Sequence, residues 1–305
     1  MEKIKTIIIA GPTASGKTDL AVQLASLCNG EIISADSMQV YRRMDIGTAK
    51  PTLEERGGIP HHMIDIIEPG EEFSAARFAS LALEKIRGMH ERGKNPFVAG
   101  GTGLYIKTLT HGIFKGPEAD PALRARLERE ADEHGSARLH ERLKEVDPAG
   151  AAAIHPNNRA RVIRAIEVYT LSKKPISEYH REHAFSDEPL QTLKIGLAVD
   201  REELYGRINE RVDRMMARGL LAETRGLLDA GYSPSLKPMG GLGYKEMTGC
   251  IEGRCALDEA VELLKMNTRR YAKRQMTWFG KDPGIRWFNP GQKKDIIEAV
   301  KEFLN

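Results

Sequence analysis

The sequence predicts an α/β fold: a parallel sheet with flanking helices, interrupted by an all-helical insertion. Three observations carry this. The strand-length apolar runs "KTIIIAG", "EIISAD" and "PFVAGG" alternate with helical patterns, as in a sheet wound with helices. No strand pattern then occurs between Gly100 and Leu193, a gap too long for a loop in a compact domain and filled by helical periodicity. Beyond it, "LKIGLAVD" and "IRWFN" complete a sheet of five expected strands.

Taken in order, Ile7-Ile8-Ile9 is a buried strand, and Leu20, Ala21, Leu24 and Ala25 then recur at helical spacing. Between them Gly11-Pro12-Thr13-Ala14-Ser15-Gly16-Lys17-Thr18 fits G-x-x-x-x-G-K-T at the strand-to-helix turn where a phosphate loop belongs. The sheet is therefore P-loop NTPase-like. Backbone N–H groups and the positive helix end hold phosphate oxygens there, Lys17 adds a point charge, and Thr18 can reach a magnesium ion. The core is expected over residues 1–114 and 191–305, with the insertion at 115–190. Helical patterns in the insertion are "PALRARLEREADEH", "ARLHERLKEV" and "NRARVIRAIEVYTLSK". After the fourth strand, "REELYGRINERVDRMMARGLLAETRGLLDAG" reads as one long amphipathic helix, followed by a helix near 256–281 and a short C-terminal one.

Composition narrows the class. At 305 residues, with 41% hydrophobic and 29% charged residues, the chain has the balance of an ordinary soluble protein of one large or two medium domains. A formal net charge of +3 leaves any nucleic-acid surface to a local patch. Cys28, Cys250 and Cys255 form no CxxC unit, which points to a reducing compartment and away from zinc. No run has the length of a membrane span or the layout of a signal peptide, so a cytoplasmic protein without membrane contact is expected.

Ligands in wound sheets lie outside the carboxyl ends of the strands, so Asp36, Ser37 and Gln39 in "SADSMQVYRRMDIGTAK" should face the cleft beside the loop. A carboxylate there can take a proton from an incoming nucleophile; its plainer role is a turn or helix cap. "AGGTGLY" offers Thr102 on either a second channel wall or a tight turn. Adjacent His61 and His62 in a strand face opposite sides, which favours structural roles over a shared metal. Arg161 and Arg164 lie on one helical face, and the acid-free run from Lys265 to Lys281 includes Lys273 and Arg274. Those cations suit a nucleic-acid backbone, while Trp278 and Phe279 are expected in the core. Arg211 could reach back towards a leaving phosphate or simply face water.

These residues together resemble a known family. "GPTASGKT", "SADSMQVYRRMDIGTAKP", "GIPHHMID", "AGGTGLY", "RVIRAIEVY", "ERVDRMMARGLLAE", "GLGYKEM" and "RRYAKRQMTWF" are similar to motifs of bacterial tRNA dimethylallyltransferases, in order from residue 7 to about 280. The resemblance implies that Gly11 to Thr18 hold the diphosphate of dimethylallyl diphosphate, with magnesium bound by Thr18 partly through water. The allylic carbon is then transferred to N6 of the adenosine 3′ of the anticodon, in tRNAs reading codons that begin with U. Asp36 would accept the amine proton, while Lys17, Thr18 and Arg211 absorb charge growing on the diphosphate. Asp36, Ser37, Met38, Gln39, Thr102, Arg161, Arg164, Lys273 and Arg274 would contact tRNA, the insertion gripping the anticodon stem–loop. The enzyme is expected to be a monomer. Two other readings stand beside this one: a P-loop kinase of a small metabolite, and a prenyltransferase of free adenine nucleotides.

Overall fold

The computed structural model describes residues 3–114, 116–183 and 188–305. The chain forms two compact units, residues 1–110 with 188–305, and residues 111–187. Residue 115, where the sequence-based division begins, lies outside the described residues.

The first unit is built on one fully parallel sheet. Its strands are β1 (Ile4–Ala10), β2 (Gly30–Ser34), β3 (His61–His62), β4 (Asn95–Gly100), β5 (Leu190–Leu197) and β6 (Ile285–Phe288), in the order β3-β2-β4-β1-β5-β6. Ile7 of the central strand sits opposite Phe97 on one side and Leu193 on the other. The sheet thus has six strands where the sequence led us to expect five. The extra one, His61–His62, pairs only with Ile32 and Ile33 and is too short to leave an apolar pattern.

Both faces of the sheet are covered, which is why its strands read as unbroken apolar runs. Ile8, Ile33 and Val98 pack under the helix Ala75–Glu91 through Phe78, Ala82 and Ile86. Ile7, Ile9, Ile32 and Phe97 face the helices Lys17–Leu27 and Lys293–Leu304 through Leu20, Leu24, Ile296 and Val300. Each large side chain buried this way contributes about 1.5–3 kcal/mol.

Two sequence expectations fail here for local reasons. The single helix expected from Arg201 is two, Arg201–Ala217 and Leu220–Asp229, broken at Gly219 with φ 97°. The apolar period continues across the break, so the pattern concealed it. On the helix Leu257–Phe279, Phe279 is buried, but Trp278 is 39% exposed rather than in the core. Consecutive helical residues point about 100° apart, so the two aromatics could not share one buried face.

The regular elements among the second unit's described residues are all helices, chiefly Pro121–His134, Ser136–Val146, Pro148–Ala153, Arg159–Ser172 and Ile176–His183. Leu127, Leu139, Leu143, Val162 and Ile166 form its core. Asp120, Asp147 and Asn158 cap three of the helices through Leu123, Gly150 and Arg161 N–H groups. Glu167 is fully buried and bound by Arg124 at 2.8 Å, by Arg164 at 2.5 Å and by the Asp120 N–H at 2.8 Å. Burial alone would raise its pKa, but the two guanidiniums hold it below the usual glutamate value.

Candidate active site

The phosphate loop closes the turn between β1 and the helix Lys17–Leu27. Gly11 at φ 148° and Gly16 at φ 89° adopt conformations open to glycine, and a Cβ on Gly11 would lie 3.1 Å from the Leu197 carbonyl oxygen. Gly16 is the helix N-cap and puts no side chain over the first amides, which leaves the positive helix end bare for an anion. Lys17 Nζ donates to the Pro12 carbonyl across the loop. Burial lowers its pKa to about 7, nearby Arg211 pushes the same way, and Asp36 opposes them. An arriving anion would reverse that shift. Ser15 Oγ is buried with no hydrogen-bond partner, and Thr18 stands exposed in the first helical turn.

Asp36 follows β2 and fills the turn role that the sequence left open for it. Its Oδ1 accepts from the Met38 N–H at 2.8 Å and the Gln39 N–H at 3.4 Å, which fixes the turn. Oδ2 makes no hydrogen bond among the described residues and is free for chemistry. Thr102 Oγ1 accepts from the Ser37 N–H at 3.0 Å and so ties the loop after β4 to the loop after β2. The carbonyl of Ala35, the residue before Asp36, lies against Gly100, whose missing Cβ would sit 2.2 Å from that oxygen. Gly100 therefore serves close backbone approach, while Gly101 and Gly103 make room for the Gln275 and Trp278 side chains. Arg211, on the helix Arg201–Ala217, is lowered from the usual arginine value by burial, with Asp36 pulling it back up.

Two cavities meet at these groups. The smaller, about 100 Å³, is lined by Lys17, Thr18, Ser34, Gly101 and Gln275. The larger, about 360 Å³, is lined by Met38, Gly47, Met215, Leu242, Leu264 and Arg274. Thr13, Asp36, Thr48, Arg211 and Tyr271 line both, so a ligand on the phosphate loop and a second one in the larger groove would meet at Asp36.

Three supports escaped sequence reading. Gln275 is buried; its Oε1 accepts from the Thr13 N–H at 2.8 Å and its Nε2 donates to the Gly101 carbonyl at 2.9 Å, bridging the two loops. Its only sequence signal is being an uncharged residue in a charged run. The Tyr271 hydroxyl lies near Thr102 and Gln275, and burial followed by the Asp36 charge pushes its pKa up to about 12. The wall at Gly47–Ala49 is clamped from behind. Glu223 accepts from the N–H groups of Asp45, Ile46 and Gly47 at 2.8–3.1 Å and from the Tyr244 hydroxyl at 2.7 Å. Buried Lys50 adds bonds to the Tyr41 carbonyl and to Asp45 and Asp65.

The remaining expected site residues are placed as follows. Gln39 uses its amide internally, on Ser34 Oγ and the Thr48 and Ala49 carbonyls. Arg161 is exposed, whereas Arg164 is held by Glu167 and the Pro117 carbonyl. Lys273 and Arg274 are exposed. Lys265, at the head of the acid-free run, is neutralised by Asp213 and Glu262. His61 Nδ1 bonds the Ile59 carbonyl while His62 bonds Glu31, so the two rings do not converge. Among the described residues no cluster of three or more His, Cys, Asp or Glu side chains could hold a metal, and no helix is long and apolar enough to cross a membrane.

A bare helix end, a loop lysine, a half-buried arginine and a carboxylate with one free oxygen define a phosphate-loop enzyme with a groove beside the loop. The chain belongs to the IPP transferase family, whose profile matches residues 39–282; that of isopentenyl transferases matches residues 4–66. It is 54% identical over 298 residues to a tRNA dimethylallyltransferase of Geobacter sulfurreducens, covering 98% of this chain and 96% of the relative. The structure is similar to that of a tRNA isopentenylpyrophosphate transferase from Bacillus halodurans, with TM-score 0.74, 44% identity, and coverage of 99% and 97% of the two chains. A eukaryotic dimethylallyltransferase acting on tRNA aligns with TM-score 0.80 and 31% identity, over 98% of this chain and 77% of that one.

Proposed function

We propose that this protein transfers the dimethylallyl group of dimethylallyl diphosphate to N6 of the adenosine 3′ of the anticodon, in tRNAs reading codons that begin with U. The observation that carries this is the position of Asp36, with its free Oδ2, at the junction of the phosphate-loop cavity and the larger groove. The diphosphate rests on the loop amides, Lys17 and Arg211. The adenine leaves its stack and enters from the groove side, as enzymes acting on bases require. The allylic C–O bond breaks, its electrons pass to the diphosphate, and the N6–C bond forms. Asp36 Oδ2 takes the proton that N6 loses. Lys17 and Arg211 stabilise the charge developing on the leaving oxygen.

The donor set fits magnesium only as a passenger of the diphosphate. One exposed hydroxyl, Thr18 Oγ1, is available, and the other ligands would be phosphate oxygens and water. Bound there, the ion would neutralise diphosphate charge. The helical unit, with exposed Arg161, is assigned to the anticodon stem–loop. Incubating the protein with labelled dimethylallyl diphosphate and tRNA, in parallel with labelled ATP and candidate acceptors, tests the reading. Label should enter tRNA from the prenyl donor alone; transfer from ATP to a small acceptor would replace this function with a kinase.

A further inference from the structure

The outer face of the helix Leu257–Phe279 and the turn beyond it carries a stripe of exposed residues at helical spacing: Arg270, Lys273, Arg274, Thr277, Trp278 and Lys281. None of its four cations makes an ion pair among the described residues, whereas Lys265 on the same helix has two. Four like charges on one face repel each other, and no acid among the described residues pairs with them. An outside polyanion would.

The same stripe contains the protein's exposed tryptophan. Gly103 lets the indole lie directly on the backbone: a Cβ there would come within 2.1 Å of its Cδ1 and Nε1. The ring is thus backed by rigid main chain and still 39% exposed, with Leu104 beside Gly103 at 44%. An apolar ring fixed on glycine and flanked by cations has the chemistry of a stacking platform for an unpaired base. The stripe also continues the groove. Arg274 and Tyr271 line the larger cavity, and Trp278 stands one helical turn, about 6 Å, beyond Arg274 along the axis.

We infer that this stripe is the track of the RNA strand that runs out of the active-site groove, and that Trp278 stacks a base next to the one that reacts. The inference rests on the proposed tRNA function. Single-stranded RNA gains from aromatic stacking and cationic phosphate contacts together, and the sequence tolerance of stacking suits a neighbour that is not itself modified.

The chain has two tryptophans, so Trp287→Phe leaves Trp278 as the sole reporter. Titrating that variant with an anticodon stem–loop bearing adenosine 3′ of the anticodon should quench its fluorescence saturably, with the same midpoint as anisotropy of labelled RNA. In the parent protein, Trp278→Ala should weaken stem–loop binding roughly 5- to 100-fold, and Trp278→Phe by less, with dimethylallyl diphosphate binding unchanged. Lys273→Ala with Lys281→Ala should flatten the log–log salt dependence by about 0.7–0.9 per cation. RNA binding by anisotropy with no quenching, in protein that still prenylates tRNA, would overturn the platform and leave the proposed function standing. Absence of any stem–loop binding by the unmutated protein would overturn both.

Discussion

Asp36→Asn separates proton acceptance from architecture. The asparagine Oδ1 can keep the bonds from the Met38 and Gln39 N–H groups at 2.8 and 3.4 Å, so the turn and the wall it supports should survive. What disappears is the basic oxygen facing the groove. A positioned general base is worth roughly 10²–10⁴ in rate, or about 3–5 kcal/mol of barrier. Donor affinity should hold or improve, because the substitution also removes a negative charge next to the diphosphate site. Asp36→Ala should lose the rate as well and, with the turn acceptor gone, about 1 kcal/mol of stability. The assay is single-turnover transfer of labelled dimethylallyl to tRNA with both substrates saturating, alongside thermal melts. Near-normal single-turnover rates in Asp36→Asn would refute the base assignment and leave Asp36 as a turn residue, the proton departing through water.

Other outcomes follow from the same geometry. Lys17, at about pKa 7 against an ordinary 10.5, binds fewer protons folded than unfolded, so it makes stability rise with pH between those values. Lys17→Met should abolish that slope and raise the melting temperature of ligand-free protein near pH 7, while weakening diphosphate binding. At pH 8 the donor should take up close to one proton on binding, roughly 0.9 if it returns Lys17 to its ordinary range, read by calorimetry in buffers of different ionisation heat. Gln275→Ala strands the Thr13 N–H and the Gly101 carbonyl, which should lower stability by about 2 kcal/mol in denaturant melts and weaken donor binding. Glu223→Gln loosens the Gly47–Ala49 wall, and should lower kcat/KM for tRNA about tenfold with donor affinity unchanged. Arg164→Ala leaves buried Glu167 with one guanidinium and should destabilise the helical unit by about 1–3 kcal/mol, whereas Arg161→Ala should leave its melt unchanged and reduce only tRNA affinity.

Most of the sheet was legible because parallel strands buried on both faces leave long apolar runs, and the phosphate loop because its glycines answer to backbone geometry at fixed spacing. His61–His62 was not, since two residues carry no period. Gly219 hid inside a pattern whose apolar spacing continues through it. In the site, Asp36 was legible from its place at a strand end, which the fold class dictates. Gln275, Glu223 and Lys50 act through contacts 262, about 177 and 15 residues away in sequence, and nothing local marks a glutamine or glutamate as a brace. Arg164 failed in the opposite way. Its spacing from Arg161 suggested a shared outward face, but the buried Glu167 three residues on draws its guanidinium inwards.

The central claim is that the phosphates on the loop belong to a leaving group, so the bond broken is carbon–oxygen and not phosphorus–oxygen. Dimethylallyl diphosphate labelled with ¹⁸O at the bridging oxygen tests this directly, with mass spectrometry of the released diphosphate and of nucleosides from digested tRNA. Carbon–oxygen cleavage places the label in diphosphate, one equivalent for each N6-prenylated adenosine. Label retained on the dimethylallyl fragment, or phosphate transferred to an acceptor while the adenosine stays unmodified, would contradict it.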